Sequence, residues 1–248
     1  MTAQSNETNP APAPVTELPK APRWKRVLDI SLILLALPVL LPLMLLIALF
    51  VRCVSAGPVL FRQVRVGHKG RHFRCFKFRT MIVGNNAAVH QGHLNRLMDA
   101  KAPMEKMDVH DPRIIPFGVP IRASGLDELP QIFNVLMGHM SLVGPRPCVS
   151  YEYERYLPWQ KERFDVLPGL TGHWQVSGKN KTTFDEMMHL DIYYARNSSL
   201  WFDLKIIAKT IPALIIQMGE TRARRKAAGG AARKAPVSST KFQPDSSN

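Results

Sequence analysis

The chain has 248 residues, 46% of them hydrophobic, which is enough for one domain with a proper core. Its formal net charge of +14 points to anionic partners: nucleic acid, an anionic membrane surface or phosphorylated substrates. Cys53, Cys75 and Cys148 are scattered and form no CxxC pair. That argues against a disulfide framework and a cysteine-type zinc site, and fits reduced thiols packed in a cytosol-facing protein.

Residues 1–22 are rich in Pro, Ala, Asn and Thr without periodicity, and read as a disordered tail. The run VLDISLILLALPVLLPLMLLIALFV follows, between Arg26 and Arg52. It exceeds the roughly 20 apolar residues that cross a bilayer. Pro38 and Pro42 interrupt it, Asp29 lies in its entry turn, and both flanks are basic. Lys20, Arg23, Lys25 and Arg26 precede it; Arg52, Arg62, Arg65 and Lys69 follow. A single span places its basic end on one side, whereas two basic ends fit a re-entrant helical hairpin over 23–56, broken at the prolines. A single span and a cleaved signal peptide are the alternatives. The apolar core is longer than the usual signal-peptide core of ~7–15 residues.

Gly57-Pro58 ends this element and opens the main domain, 57–218. Two β-rich runs around Gly67-His68-Lys69-Gly70 predict a hairpin. Residues 83–116 predict a helix and a loop. Ser124 reads as the cap of a helix beginning near Asp127, with Pro130 in its first turn and Leu129, Ile132, Phe133 and Leu136 as its apolar stripe. Further helices are expected over 150–166, interrupted at Pro158, over 184–194 and over 200–218. The last is mostly apolar and suits either a membrane interface or a core. From 219 to 248 the chain is basic and rich in small residues, RARRKAAGGAARK, and reads as a disordered tail.

The chemistry concentrates at 122–147, RASGLDELPQIFNVLMGHMSLVGPRP. Asp127 and Glu128 stand together at an expected helix start, with Arg122 upstream and Arg146 in a Gly-Pro-Arg-Pro turn downstream. A helix start favours anions, and guanidinium forks match phosphate oxygens. Side chains of adjacent helical residues point about 100° apart, so the two acids need different tasks. The plain alternative is a capping box of Ser124 and Asp127, with the arginines in surface ion pairs.

Three strings in order, FKFRTM (76–81), the 122–147 string and PGLTGHWQVSGKN (168–180), resemble the bacterial sugar transferases, or polyprenyl-phosphate glycosyl-1-phosphate transferases. The resemblance covers roughly residues 25–214 and is closest to short, exopolysaccharide-initiating members. It implies an α+β, mostly helical fold: a re-entrant membrane helix, a short β-hairpin and a helical cytoplasmic domain with interfacial helices. It implies that Asp127 is a nucleophile on the sugar-bearing phosphorus and that Glu128 helps to hold Mg²⁺. Lys77, Arg79, Arg122, Arg146 and Lys179 match positions that bind the substrate. Lys179 stands where Arg is usual. His139 and His173 also depart from the family pattern; both read as non-catalytic, and His173 as a candidate for tuning sugar choice. Trp174 reads as core, and Asp191 and Asp203 as structural.

The implied reaction moves a sugar-1-phosphate, galactose or glucose, from a UDP-sugar to undecaprenyl phosphate through an aspartyl intermediate, releasing UMP. It would take place at the cytoplasmic face of the bacterial inner membrane, beside anionic lipids, with later glycosyltransferases of the same pathway as partners. The alternative function is a non-enzymatic membrane adaptor of polysaccharide assembly. No nucleic-acid module is present, and no Asp-x-Asp motif marks a conventional glycosyltransferase.

Overall fold

The apolar N-terminal run forms one helix. In the computed structural model, which describes residues 21–82, 87–99, 103–104, 111 and 113–234, α1 covers Arg23–Val54. Its 32 residues extend roughly 48 Å along the helix at about 1.5 Å each. The backbone stays helical through Pro38 and Pro42, so the two half-helices expected from the sequence are joined without a break. The prolines are four residues apart, which places both missing N–H groups on one side of the helix.

The buried positions of α1 fall in two groups: Lys25, Asp29 and Ile33, then Met44, Ile47 and Val51. Leu34, Leu35, Val39, Leu41, Leu45, Leu46 and Leu49 are 56–79% exposed. At roughly 1.5 kcal/mol or more for each, leaving seven such side chains in water costs on the order of 10 kcal/mol. Only 17% of the most apolar window is buried, so α1 is not a soluble core helix. It is a membrane-associating element.

Both ends of α1 are held by the same body. Lys25 donates to Tyr194 Oη at 2.9 Å and pairs with Asp203 at 2.5 Å. Arg26 donates to the carbonyls of Val135 and Leu136. Asp29 accepts from Ser141 Oγ and the Leu142 N–H, both at 3.0 Å. At the far end Arg79 donates to the carbonyls of Ser55 and Ala56. Lys25 and Arg26, counted above as flanking membrane charges, are therefore internal ties.

The expected hairpin is present as β1 (Leu60–Val66) and β2 (His72–Phe78), antiparallel, with Arg65 opposite Phe73 and Gln63 opposite Cys75. Lys69 and Gly70 take positive φ to close its loop. Alternation along the strands puts Gln63, Arg65, Cys75 and Lys77 on one face.

Beyond it come α2 (Ala87–Asp99), α3 (Gly118–Ala123) and α4 (Gln131–Leu136). Most of the expected loop after α2 lies outside the described residues. Gly125, at φ 74°, turns the chain after α3 into a 3₁₀ turn, Leu126–Glu128, before α4. Ser124 does not cap this turn. Its hydroxyl bonds back to the carbonyls of Pro120 and Ile121, at 2.9 and 3.0 Å, because Gly125 redirects the chain away from it.

Two signature strings then meet as a parallel pair that the sequence reading did not anticipate: β3 (Ser141–Val143) and β4 (Gly169–Thr171). Glycines permit the approach. A Cβ on Gly169 would sit 2.0 Å from the Gly144 nitrogen, and one on Gly172 2.3 Å from the Gly144 oxygen. Residues 150–166 form α5 (Ser150–Glu154) and a 3₁₀ segment from Pro158 to Phe164.

The remaining helices are α6 (His173–Val176), α7 (Phe184–Asn197) and α8 (Leu200–Lys234). Thr183 and Glu186 cap α7 reciprocally. Trp174 is core, as expected, at 4% exposed, in a cluster with Tyr156, Phe164 and Phe184. The tail reading from 219 is corrected as far as Lys234. Arg, Ala and Lys are strong helix formers, and α8 continues through them.

Candidate active site

The hairpin face, the 3₁₀ turn, the Pro-Arg-Pro segment and the β3–β4 pair converge on one small cleft. Arg65, Lys77, Glu128, Arg146, Gln131 and Gln175 line it, over a floor of Gly169 and Leu170. Glu128 Oε1 is clasped from two sides, by Lys77 Nζ at 2.8 Å and Arg146 Nη1 at 3.3 Å. Asp127 precedes it on the same turn and is 6% exposed. A 3₁₀ turn has about three residues per revolution, so the two carboxylates diverge as the sequence reading requires.

Three cations around the cleft's one carboxylate leave a surplus of positive charge. Burial and then the like charge of Arg146 pull the Arg65 pKa down. Arg65 is positioned by Gln63 Oε1, at 3.1 and 2.7 Å, and by the Pro147 carbonyl at 3.2 Å. Burial also pulls on Arg146, but Glu128 and Glu152 outweigh it and hold its pKa above the ordinary value. Burial pushes the Cys75 thiol up, so it stays protonated between its cationic neighbours. An added anion with several oxygens would relieve the mutual repulsion of these cations.

Of the residues singled out in the sequence, Lys77, Glu128 and Arg146 meet in the cleft, with Asp127 adjacent. Arg79 does not join them. Strand alternation would put it on the Lys77 face, but β2 stops at Phe78 and Arg79 turns to the end of α1, 4% exposed. It is a clamp on the membrane helix. Arg122 reaches Thr80 Oγ1 at 3.3 Å, outside the cleft lining. Lys179 lies over the Trp174 ring at 5.9 Å, also outside. His173 packs between Tyr193 and Phe202.

The sequence reading missed Arg65, Gln131 and Gln175. In the sequence alone Arg65 reads as one of the membrane-flanking charges. Its position two residues after Gln63 and opposite Phe73 was the signal that it shares the Lys77 face.

A divalent hard cation shared with substrate phosphates needs only one or two carboxylates from the protein. Glu128, beside Asp127, meets that requirement. Among the described residues no group of three His, Cys, Asp or Glu forms an all-protein cage.

A membrane-seated α+β domain with a polycationic, carboxylate-bearing cleft is the class this geometry defines. Residues 20–217 match the family described as "Bacterial sugar transferase", and the chain belongs to that family. It is 40% identical over 198 residues to the undecaprenyl-phosphate galactose phosphotransferase of Salmonella typhimurium, covering 79% of this chain and 41% of that protein. It is 43% identical over 194 residues to the UDP-glucose:undecaprenyl-phosphate glucose-1-phosphate transferase of Xanthomonas campestris pv. campestris, covering 75% and 37%. It is 37% identical over 198 residues to the exopolysaccharide production protein ExoY of Sinorhizobium fredii, covering 79% and 87%. The chain thus spans about two fifths of the first two relatives and most of the third.

Proposed function

We propose that this protein is a phosphoglycosyl transferase that moves a sugar-1-phosphate from a UDP-sugar to undecaprenyl phosphate, the first membrane step of exopolysaccharide synthesis. The observation that carries the reading is Glu128 held between Lys77 and Arg146 beside the buried Asp127. The relatives' names supply the substrate class, with galactose and glucose as the sugars to assay.

An Asp127 carboxylate oxygen attacks the sugar-bearing phosphorus. The bond from that phosphorus to the bridging oxygen breaks, and UMP departs with the electron pair. A phosphate oxygen of the lipid then attacks the same phosphorus. The aspartyl–phosphorus bond breaks, restoring Asp127 and yielding lipid diphosphate sugar. Lys77, Arg65 and Arg146 orient the diphosphate and offset the charge that builds on it. Glu128 would hold Mg²⁺, which neutralises charge on the phosphates when bound.

The seat of the domain suits a lipid acceptor. In this reading the domain sits on the cytoplasmic side of the inner membrane with the apolar middle of α1 in the bilayer, and the ties of both helix ends to one body support it. On α8, Trp201, Ile211, Ile215 and Ile216 are 60–80% exposed, with Arg222, Arg225 and Lys226 beyond them. That pattern fits an interfacial helix whose basic end meets anionic lipids. Later glycosyltransferases of the pathway would take the product.

The test is nucleotide release. With UDP-galactose or UDP-glucose alone, the wild type should release UMP and acquire a covalent phosphosugar. Asp127→Asn should do neither, and chelation by EDTA should stop turnover until Mg²⁺ is restored. UDP as the product rejects the reaction, and a labelled Asp127→Asn protein rejects the nucleophile.

A further inference from the structure

The amide of Gln175 stands apart from the charges of the cleft. It sits on α6, and its Nε2 donates to the Leu170 carbonyl at 3.2 Å. That bond fixes which way the amide points, because a flipped amide would set its oxygen against the Leu170 oxygen. Oε1 is then left buried, with no hydrogen-bond partner among the described residues. A buried acceptor in that state is rare in folded proteins and calls for an explanation.

The cleft's cations are engaged elsewhere. Lys77 and Arg146 hold Glu128, and Arg65 holds Gln63 and the Pro147 carbonyl. The oxygen lies beside the open face of Gly172, where a Cβ would come within 3.2 Å of it. Diphosphate oxygens cannot satisfy it either, because they too are acceptors. Only an O–H or N–H donor can. A nucleotide sugar carries its hydroxyl donors on the hexose and the ribose, one on either side of the diphosphate that the cations attract.

We propose that Gln175 Oε1 accepts a hydrogen bond from a hydroxyl of the bound nucleotide sugar, which makes Gln175 a specificity-determining residue. The inference rests on the reaction proposed above. The cations of the cleft read charge, which every nucleotide sugar shares. Gln175 reads one hydroxyl, which an analogue can lack. A site built to pair a substrate hydroxyl discriminates strongly against the analogue without it, because its own polar group is then stranded.

The experiment is a double-mutant cycle between protein and substrate, run on the full chain in lipid nanodiscs. kcat/KM is measured for the accepted UDP-sugar and for analogues that each lack one hexose or ribose hydroxyl. The wild type should lose ~10-fold or more on one analogue. Gln175→Met should lose ~10-fold or more on the parent sugar, yet treat parent and that analogue within about 3-fold of each other. The thermal unfolding midpoint of Gln175→Met, measured beside the wild type, guards against a variant that folds poorly. Whether the telling analogue is modified on the hexose or the ribose identifies the source of the donor. A Gln175→Met enzyme that discriminates among all analogues as the wild type does overturns the assignment. UDP-sugar binding and UMP release by the wild type are measured alongside. Failure of both overturns the reaction and this assignment with it, whereas normal turnover without coupling overturns Gln175 alone.

Discussion

Arg163 is 1% exposed, and its guanidinium donates to Asp191, to Tyr156 Oη at 3.0 Å and to the carbonyl of Arg146 at 3.0 Å. It therefore ties the cleft's Arg146 to α7. Burial acts against its charge, but Asp191 outweighs that and raises its pKa. Removing one member of such a pair strands the other. Asp191→Ala should lower stability by about 3–5 kcal/mol. Thermal unfolding should show a drop on the order of 10 °C. Adding Arg163→Met should recover much of it, because no stranded charge then remains; a double variant no better than the single would argue against this account. At this scale the sequence was legible where chemistry is local. Asp127 and Glu128 share one turn beside the cleft, as their adjacency implies, and Asp191 and Asp203 are buried in ion pairs, as read. Arg79 was misplaced because its direction depends on where β2 ends, and Gln175 was missed because its orphaned oxygen exists only in three dimensions.

The helices and the hairpin were legible as elements, since apolar spacing and glycine loops encode them. The β3–β4 pair was not. Each strand has three residues, too few for a period to show, and what marks them is close packing among Gly144, Gly169 and Gly172. The continuity of α1 through two prolines was also hidden, because proline weakens a helix without dictating a break. Lys25 and Arg26 brace α1 against the body and so do not report its topology. If both ends share the cytoplasmic side, an exposed thiol at either end should behave alike. Cys53 is exposed at one end, and Arg23→Cys supplies the other. A membrane-impermeant maleimide should label neither in intact cells and both in inverted vesicles. Labelling of one end only in intact cells would establish a crossing.

At the scale of the whole molecule, three histidines among the described residues lose basicity on folding. Burial is the leading cause at His68, His139 and His173, and each pKa lies below the ordinary value. The unfolded chain takes up protons at these positions near pH 6.5, while the folded chain resists. Folded stability from the neutral rings is therefore complete above about pH 6.5 and drains as pH falls below it. His139 gives the cleanest reading, since burial is the one cause of its shift and its Nδ1 is buried without a partner among the described residues. The thermal midpoint of His139→Asn should fall less between pH 7 and 5 than that of the wild type, both followed by circular dichroism in the same detergent. Parallel curves would remove His139 from the acid response. Overall architecture was the most legible level: an α+β, mostly helical body carrying a membrane helix. Which cations face the cleft and which brace α1 was not, because both sets are scattered through one basic sequence.

The bond from Lys25 to Asp203 joins residues 178 positions apart. It has a consequence for biosynthesis. A ribosome delivers α1, with Lys25 and Asp29 on it, long before β3 and α8 exist to receive them. Until residue 141 is made, Asp29 has no serine to meet, and until residue 203 is made, Lys25 has no carboxylate. The apolar middle can enter lipid as soon as it emerges, but its two polar feet must wait in water or among headgroups. The membrane helix is thus made well before the elements that seat it.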